Sequence, residues 1–351
     1  MKRSKSVLAL IVAVSMALGL AACTMPGDSD GAAATENTGD AANATDAADN
    51  TEASVSDASD ITIAVVPKSL DNSIFLDSKT GAEKAAKDLG INLEWVGSAK
   101  SDASEQVTVI EGLIQKKVDG ILISCNDADA LKDVIDRAMD AGISVATFDS
   151  DSPESKRIFY AGTDNYAIGA EAAGYMKELL PDGGSVAILT GVLGAPNLEM
   201  RITGFQETLE GSNIECLPVM TGEDDVQKSV EVVNQFTAAN SDLDAWFFVG
   251  GWPYFADPEA LPEINTFMKN GGRVISIDTA YPMLQYLGLD MVDILIGQAY
   301  EEMGYIGVTT LYDAIQGKEL DLPEDNYINT GSEVVTKDNW EEVLAGKTPW
   351  E

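Results

Sequence analysis

The chain contains no histidine. That absence removes Ser-His-Asp and Cys-His nucleophile pairs and every His-ligated metal site, leaving carboxylates as the only acid–base pair worth weighing. Cysteine is scarce, at three in 351 residues, and Cys125 and Cys216 stand too far apart to make a disulfide framework. Basic side chains are also few, 22 against 58 acidic ones, and so negative a surface repels nucleic acid and anionic lipid headgroups. The apolar run at residues 7–20 has 14 residues, short of the ~20 that span a bilayer.

That run follows a cationic start at Lys2, Arg3 and Lys5 and ends in Leu20-Ala21-Ala22-Cys23. Charged, then apolar, then small is the order of a secretory signal. Leu-Ala-Ala-Cys resembles the lipobox of bacterial lipoproteins. The resemblance implies a signal peptide over 1–22, cleavage before Cys23, lipidation of its thiol, and anchoring on the outer face of the cytoplasmic membrane. Without the signal, 19 basic side chains face 58 acidic ones, a net charge of −39. Residues 24–60 are Ala, Thr, Asp, Asn, Ser and Gly with nine acidic residues and no basic one. Such a segment buries too little to offset its ordering entropy, so 23–60 reads as a lipidated Cys on a disordered acidic tether.

Composition turns globular at residue 61. The remaining length suits two lobes better than one core. Short apolar runs at 61–66, 92–96, 120–124 and 145–148 read as strands. Between them, Val107, Ile110, Leu113 and Ile114 form one helical stripe, and Leu131, Val134, Ile135 and Ala138 another. After Gly162-Thr163-Asp164-Asn165 the pattern restarts, with helices expected at 167–180, 198–209 and 226–239. Strands are expected at 185–190, 215–219, 245–249 and 274–277. Alternating strand and helix predicts an α/β fold with parallel sheets flanked by helices, here in two halves.

In open α/β sheets ligands sit beyond the carboxyl ends of the strands, so the residues there are the candidates. They are Lys68, Asn72 and Phe75 after the first strand, and Asp149, Ser150 and Asp151 after the fourth. The second half contributes Asn197, Arg201, Trp252 and Asp278. A carboxylate accepts from two hydroxyls at once, Arg and Lys donate to hydroxyl or ring oxygens, and an aromatic face covers the C–H face of a sugar. The mix suits a neutral polyhydroxylated ligand. Asp149-Ser150-Asp151 lacks the glycine and closing Glu of a calcium loop, so no metal is expected.

Several ordered segments carry a family resemblance. They are Ile63-Ala64-Val65-Val66 with Asn72 and Phe75, Gly81-Ala82-Glu83, Phe148-Asp149, the stretch 197–201 with Gly204-Phe205, Ile277-Asp278, and Gln298 followed by Gly304. Over 61–335 the chain resembles the solute-binding proteins of bacterial sugar ABC importers, the ribose-binding type related to LacI effector domains. The resemblance implies two Rossmann-like lobes, 61–164 plus 299–325 and 165–298 plus 326–351, joined by a three-stranded hinge. It adds Gln298, near a hinge crossing, to the ligand contacts, and it sets Asp224 or Asp225 where the ribose type has a stacking Phe, Asp224 being taken as the contact. Where the ribose type has an Arg after its Asp, this chain has Ser150; at an early Ser position it has Lys68. Those features are similar to the rhamnose and autoinducer-2 branches, while Asn197 and Gly250-Gly251-Trp252 fit pentose or polyol branches. A disulfide between the lobes would staple the hinge, so two free thiols are expected.

The function implied is capture of a monosaccharide or sugar alcohol outside the cytoplasm, with delivery to an ABC permease. No cofactor, nucleic acid or covalent chemistry is expected, and the protein is read as a monomer. Presentation of a sugar or autoinducer-2-like ligand to a membrane sensor is the alternative. A LacI-type regulator would need a basic helix-turn-helix where the signal and tether stand. A hydrolase would need an acid and a base flanking one bond.

Overall fold

Strand and helix alternate through most of residues 57–347, the part of the chain that this computed structural model describes. The signal, Cys23 and residues 24–56 lie outside the described residues. The fold starts slightly ahead of the expected residue 61. Ala58–Asp60 forms a 3-10 turn, and the Ser59 carbonyl accepts from the Asn92 side chain.

The first half runs β1 (Thr62–Val66), α1 (Phe75–Leu89), β2 (Asn92–Trp95), α2 (Ala103–Lys116), β3 (Gly120–Ile123), α3 (Ala128–Asp140), β4 (Ser144–Phe148) and β5 (Tyr160–Gly162). The second runs α4 (Asn165–Leu179), β6 (Gly184–Thr190), α5 (Pro196–Leu209), β7 (Ile214–Cys216), β8 (Met220–Thr221), α6 (Val226–Ala239), β9 (Ala245–Phe248), α7 (Pro262–Lys269), β10 (Arg273–Ile277), α8 (Tyr281–Gly288) and β11 (Ile294–Gln298). Then come α9 (Tyr300–Ile315), β12 (Tyr327–Asn329), β13 (Ser332–Val335) and α10 (Trp340–Gly346). The single strand expected at 215–219 is two short pieces, β7 and β8, both paired to β6.

Two sheets form, in the orders β2-β1-β3-β4-β5-β12 and β7-β6-β9-β10-β11-β13. All pairs are parallel except β11 with β13. Strands β3 and β9 are buried along their whole length, as strands covered by helices on both faces must be. In each sheet the strand order reverses at one point, between β1 and β3 and between β6 and β9. A crevice opens at such reversals, at the carboxyl ends of the strands.

The chain passes between the sheets three times: at 163–164 after β5, at Ala299 after β11, and at 330–331 after β12. The last passage falls beyond the 325/326 boundary expected from sequence. Tyr327–Asn329 stays with the first sheet because it pairs with β5; the Tyr327 ring also stacks on Tyr160, and its hydroxyl reaches the Gly162 carbonyl.

Each lobe has one close helix pair, and glycines make it possible. In the first, a Cβ added at Gly81 of α1 would lie 1.9 Å from the Glu301 carbonyl oxygen of α9, and one at Gly304 of α9 would lie 2.0 Å from the Ser78 carbonyl oxygen. In the second, a Cβ added at Gly169 of α4 would lie 2.1 Å from the Arg201 carbonyl oxygen, and one at Gly204 of α5 would lie 2.2 Å from that of Tyr166. The packing places Phe75 and Tyr300 at the starts of one pair, and Asn165 and Asn197 at the starts of the other. Part of the acidity has a structural use: Asp102, Asp127, Asp164 and Asp225 cap the first turns of α2, α3, α4 and α6. Cys125 and Cys216 are both free, as expected.

Candidate functional site

The carboxyl ends of both sheets meet at one pocket. From the first lobe it is lined by Lys68, Asn72, Phe75 and Asp149; from the second by Asn197, Arg201, Asp224, Trp252 and Asp278. Nine of the twelve residues singled out from sequence thus converge on it. The lobes press together here, leaving a cavity of about 20 Å³. A larger groove of about 890 Å³ lies among Ser69, Asp71, Lys100, Leu193 and Glu223, and shares Asp224 with this pocket.

Three side chains cross the cleft. Lys68 Nζ donates to Asn197 Oδ1 at 2.7 Å, and Asn197 Nδ2 donates to Asp149 Oδ1 at 3.2 Å. Ser101 Oγ donates to Asp224 Oδ2 at 2.8 Å. Burial pulls the Lys68 ammonium below its usual range, a shift that Asp149 and Asp224 oppose. Asp149 also accepts from Ser124 Oγ at 2.6 Å.

Arg201 is 2% exposed despite its charge. Its Nε donates to Asn165 Oδ1 at 2.8 Å, Nη1 to the Val249 carbonyl at 3.0 Å and Nη2 to Gln298 Oε1 at 2.8 Å. These acceptors are neutral oxygens, so the guanidinium is aimed and hydrogen-bonded without being neutralised by them. Asp278 accepts from the Gly251 backbone N–H at 3.2 Å and from Gln298 Nε2 at 2.8 Å. Burial raises its pKa above the usual 3.8, with Arg201 the largest opposing influence.

Asp149, Asp224 and Asp278 all hold positive φ, at 56°, 56° and 82°. A left-handed Asp costs less than most L-residues there but remains a sparsely populated state. Each such residue turns a strand or loop end sharply enough to send its carboxylate into the cleft.

Three expected contacts are placed otherwise. Asp151 does not reach the pocket: Arg157 grips its carboxylate through Nε at 2.5 Å and Nη2 at 2.6 Å, and Thr147 Oγ1 donates to it as well. Ser150 is fully buried beside the pocket, its carbonyl accepting from the Cys125 N–H. Gln298 stands behind the lining, between Arg201, Asp278 and Tyr300. Sequence reasoning missed Tyr300, which lines the pocket with its hydroxyl 3.4 Å from Asp149 Oδ1, as well as Asn165, Ser101 and Ser124. Ser124 and Tyr300 both follow strand ends and so obeyed the rule that found the others. Ser101 lies in the loop after β2, and Asn165 follows β5, a strand that the sequence pattern had not revealed. Among the described residues no cluster of acidic or sulfur ligands could hold a metal ion.

Residues 63–319 match the model of the periplasmic binding protein domain, and the chain belongs to that family. It is a binding protein rather than an enzyme. Among curated relatives, the D-ribose/D-allose-binding protein of Pseudomonas aeruginosa is 27% identical over 288 residues, covering 78% of this chain and 88% of the relative. Among solved structures, an ABC transporter solute-binding protein from Burkholderia graminis in complex with D-arabinose is 36% identical at a TM-score of 0.74, covering 81% of this chain and 98% of that one. The XylFII–LytSN complex contains a chain 26% identical at a TM-score of 0.73, covering 79% of this chain and 98% of that one.

Proposed function

We propose that the protein captures a monosaccharide or sugar alcohol outside the cytoplasm by hinge closure and delivers it to an ABC permease. The observation that carries this reading is the convergence of Asp149 and Lys68 from one lobe with Arg201 and Asp278 from the other on a single pocket. Three carboxylates and two cations, interleaved with Phe75 and Trp252, suit a neutral ligand rich in hydroxyls. The relative with D-arabinose bound and the D-ribose/D-allose-binding relative support the same ligand class. Lobes this closely joined must part to admit a sugar. Contacts from both lobes then exist together only in the closed form, so ligand shifts the population toward it. Lipidation of Cys23 would hold the receptor at the membrane and raise its concentration near the permease. The XylFII–LytSN neighbour favours a second reading, in which the closed protein is presented to a membrane sensor.

The test is a thermal-shift panel of pentoses, hexoses, deoxysugars, sugar alcohols and autoinducer-2 on the mature chain with Cys23→Ser. A true ligand at 100 times its Kd adds about 2.7 kcal/mol of stability. A flat response across the panel would overturn the sugar reading. In cells, Cys23→Ser should move the protein from the membrane fraction to the soluble one; an unchanged distribution would remove the lipid anchor.

A further inference from the structure

Arg201 of the second lobe and Asp149 of the first are joined by two parallel relays of the same chemistry. In one, Arg201 Nε donates to Asn165 Oδ1 at 2.8 Å, Asn165 Nδ2 donates to the Tyr160 hydroxyl at 3.3 Å, and that hydroxyl donates to the Asp149 carbonyl at 2.9 Å. In the other, Arg201 Nη2 donates to Gln298 Oε1 at 2.8 Å, Gln298 Nε2 donates to the Tyr300 hydroxyl at 2.9 Å, and that hydroxyl points to Asp149 Oδ1 at 3.4 Å. Each relay is guanidinium, amide, phenol, Asp149. Every one of its members is buried, between 1% and 8% exposed.

The relays run through the hinge. Tyr160 and Asn165 flank the passage at 163–164, and Asn165 Nδ2 also reaches the Thr163 carbonyl at 3.1 Å. Gln298 and Tyr300 flank the passage at Ala299. All donors in an arm point the same way, from the cation toward Asp149, and hydrogen bonds aligned head to tail polarise and strengthen one another. Burial, and then the Asp149 charge, push both phenols well above their usual pKa, so both keep the proton they donate.

We propose that these two amide–tyrosine arms are the closure lock of the hinge, and that Tyr160 and Asn165 are positioning residues for ligand binding although neither lines the pocket. In such a lock, opening the lobes draws Asn165 or Gln298 away from its phenol and breaks that link as the cleft opens. The closed angle and the placement of the ligand-gripping pair Asp149 and Arg201 are then set by the same bonds. This deepens the sugar-capture reading and rests on it.

The arm through Tyr160 can be tested at residues that do not themselves line the pocket. Tyr160→Phe removes one hydroxyl and Asn165→Leu removes the amide, with stopped-flow kinetics on a sugar identified by the thermal-shift panel. If the arms lock the closed state, each variant raises koff, by roughly five- to tenfold for the loss of one buried hydrogen bond, and leaves kon, which reports encounter with the open form, unchanged. A purely structural role would lower the melting temperature without that split. Unchanged koff in Tyr160→Phe, or a loss carried by kon, overturns the proposal. Small-angle scattering of the sugar-free proteins gives a readout independent of ligand identity. Both variants should have a larger radius of gyration than the parent; three superimposable profiles overturn the lock even if no sugar on the panel binds, an outcome that would count separately against sugar capture.

Discussion

Asp149 and Arg201 face the pocket from opposite lobes, and each is held in place by neighbours within its own lobe. Asp149 sits at φ 56° with Ser124 donating to its carboxylate, and Arg201 is fixed by Asn165, Val249 and Gln298. Little ordering entropy remains to be lost on binding, which is what preorganisation contributes. Asp149→Ala and Arg201→Ala should each weaken sugar binding by at least ~100-fold, the loss of two charge-assisted hydrogen bonds, while circular dichroism stays unchanged. Equal affinity in both variants would sink the site assignment. Trp252→Ala should weaken binding by about tenfold through lost ring contact with the sugar's C–H face; isothermal titration against the parent decides it.

Asp278 adds a pH dependence. Burial raises its pKa above 3.8 in the folded protein. The folded state therefore holds this proton more tightly than the unfolded chain does. Its contribution to stability is most favourable at low pH and is lost as pH rises from 3.8 through the raised folded value. Ligand affinity runs the other way if the ionised form accepts a sugar hydroxyl. As pH falls, affinity should decline above the usual carboxylate range, and Asp278→Asn should flatten that part of the profile. A wild-type profile flat down to pH 4 would remove Asp278 from the contacts.

Among the elements, helix pairs α1–α9 and α4–α5 do most to place the site, because their first turns carry Phe75, Tyr300, Asn165 and Asn197. Their closeness depends on glycine. Gly304→Ala pushes a methyl to 2.0 Å from the Ser78 carbonyl, and such overpacking should cost about 1–3 kcal/mol. Gly174 on α4 has open space around it, so Gly174→Ala should instead stabilise by about 0.5–1 kcal/mol. Calorimetry on the pair tests whether contact or helix propensity governs each position. Gly81, Gly204 and Gly304 were picked out in the sequence only as parts of a family pattern, and the helix crossings supply the physical cause. The strands were readable for a simpler reason: runs such as 120–123 are apolar on both faces, and only a covered parallel strand requires that. Short β12 was not readable, because Tyr327–Asn329 gains its place from pairing with β5 rather than from its own pattern.

For the whole molecule, the acidic excess acts chiefly on solubility and on partners. A net charge of −36 over the full chain would steer an anionic ligand away, whereas a neutral sugar feels no such field. Sugar affinity should therefore change less than twofold between low and high salt. A steep salt dependence would point to a charged ligand. Three short passages join the two lobes, and the relays run across two of them.

The sequence alone determined the alternation of strand and helix, the two halves, the exclusion of histidine-based chemistry, and most of the pocket. Those properties depend on local periodicity and on the rule that ligands lie past strand ends, both of which act over a few residues. Only the tertiary structure decided which acids face the cleft. Asp149 and Asp151 are two residues apart, yet Arg157 claims Asp151 while Asp149 turns inward. Asn165 and Tyr160 gained their roles from where the hinge carries Arg201 and Asp149. Side-chain direction after a strand end is set by backbone φ and by partners distant in the chain, and no spacing in the sequence encodes either.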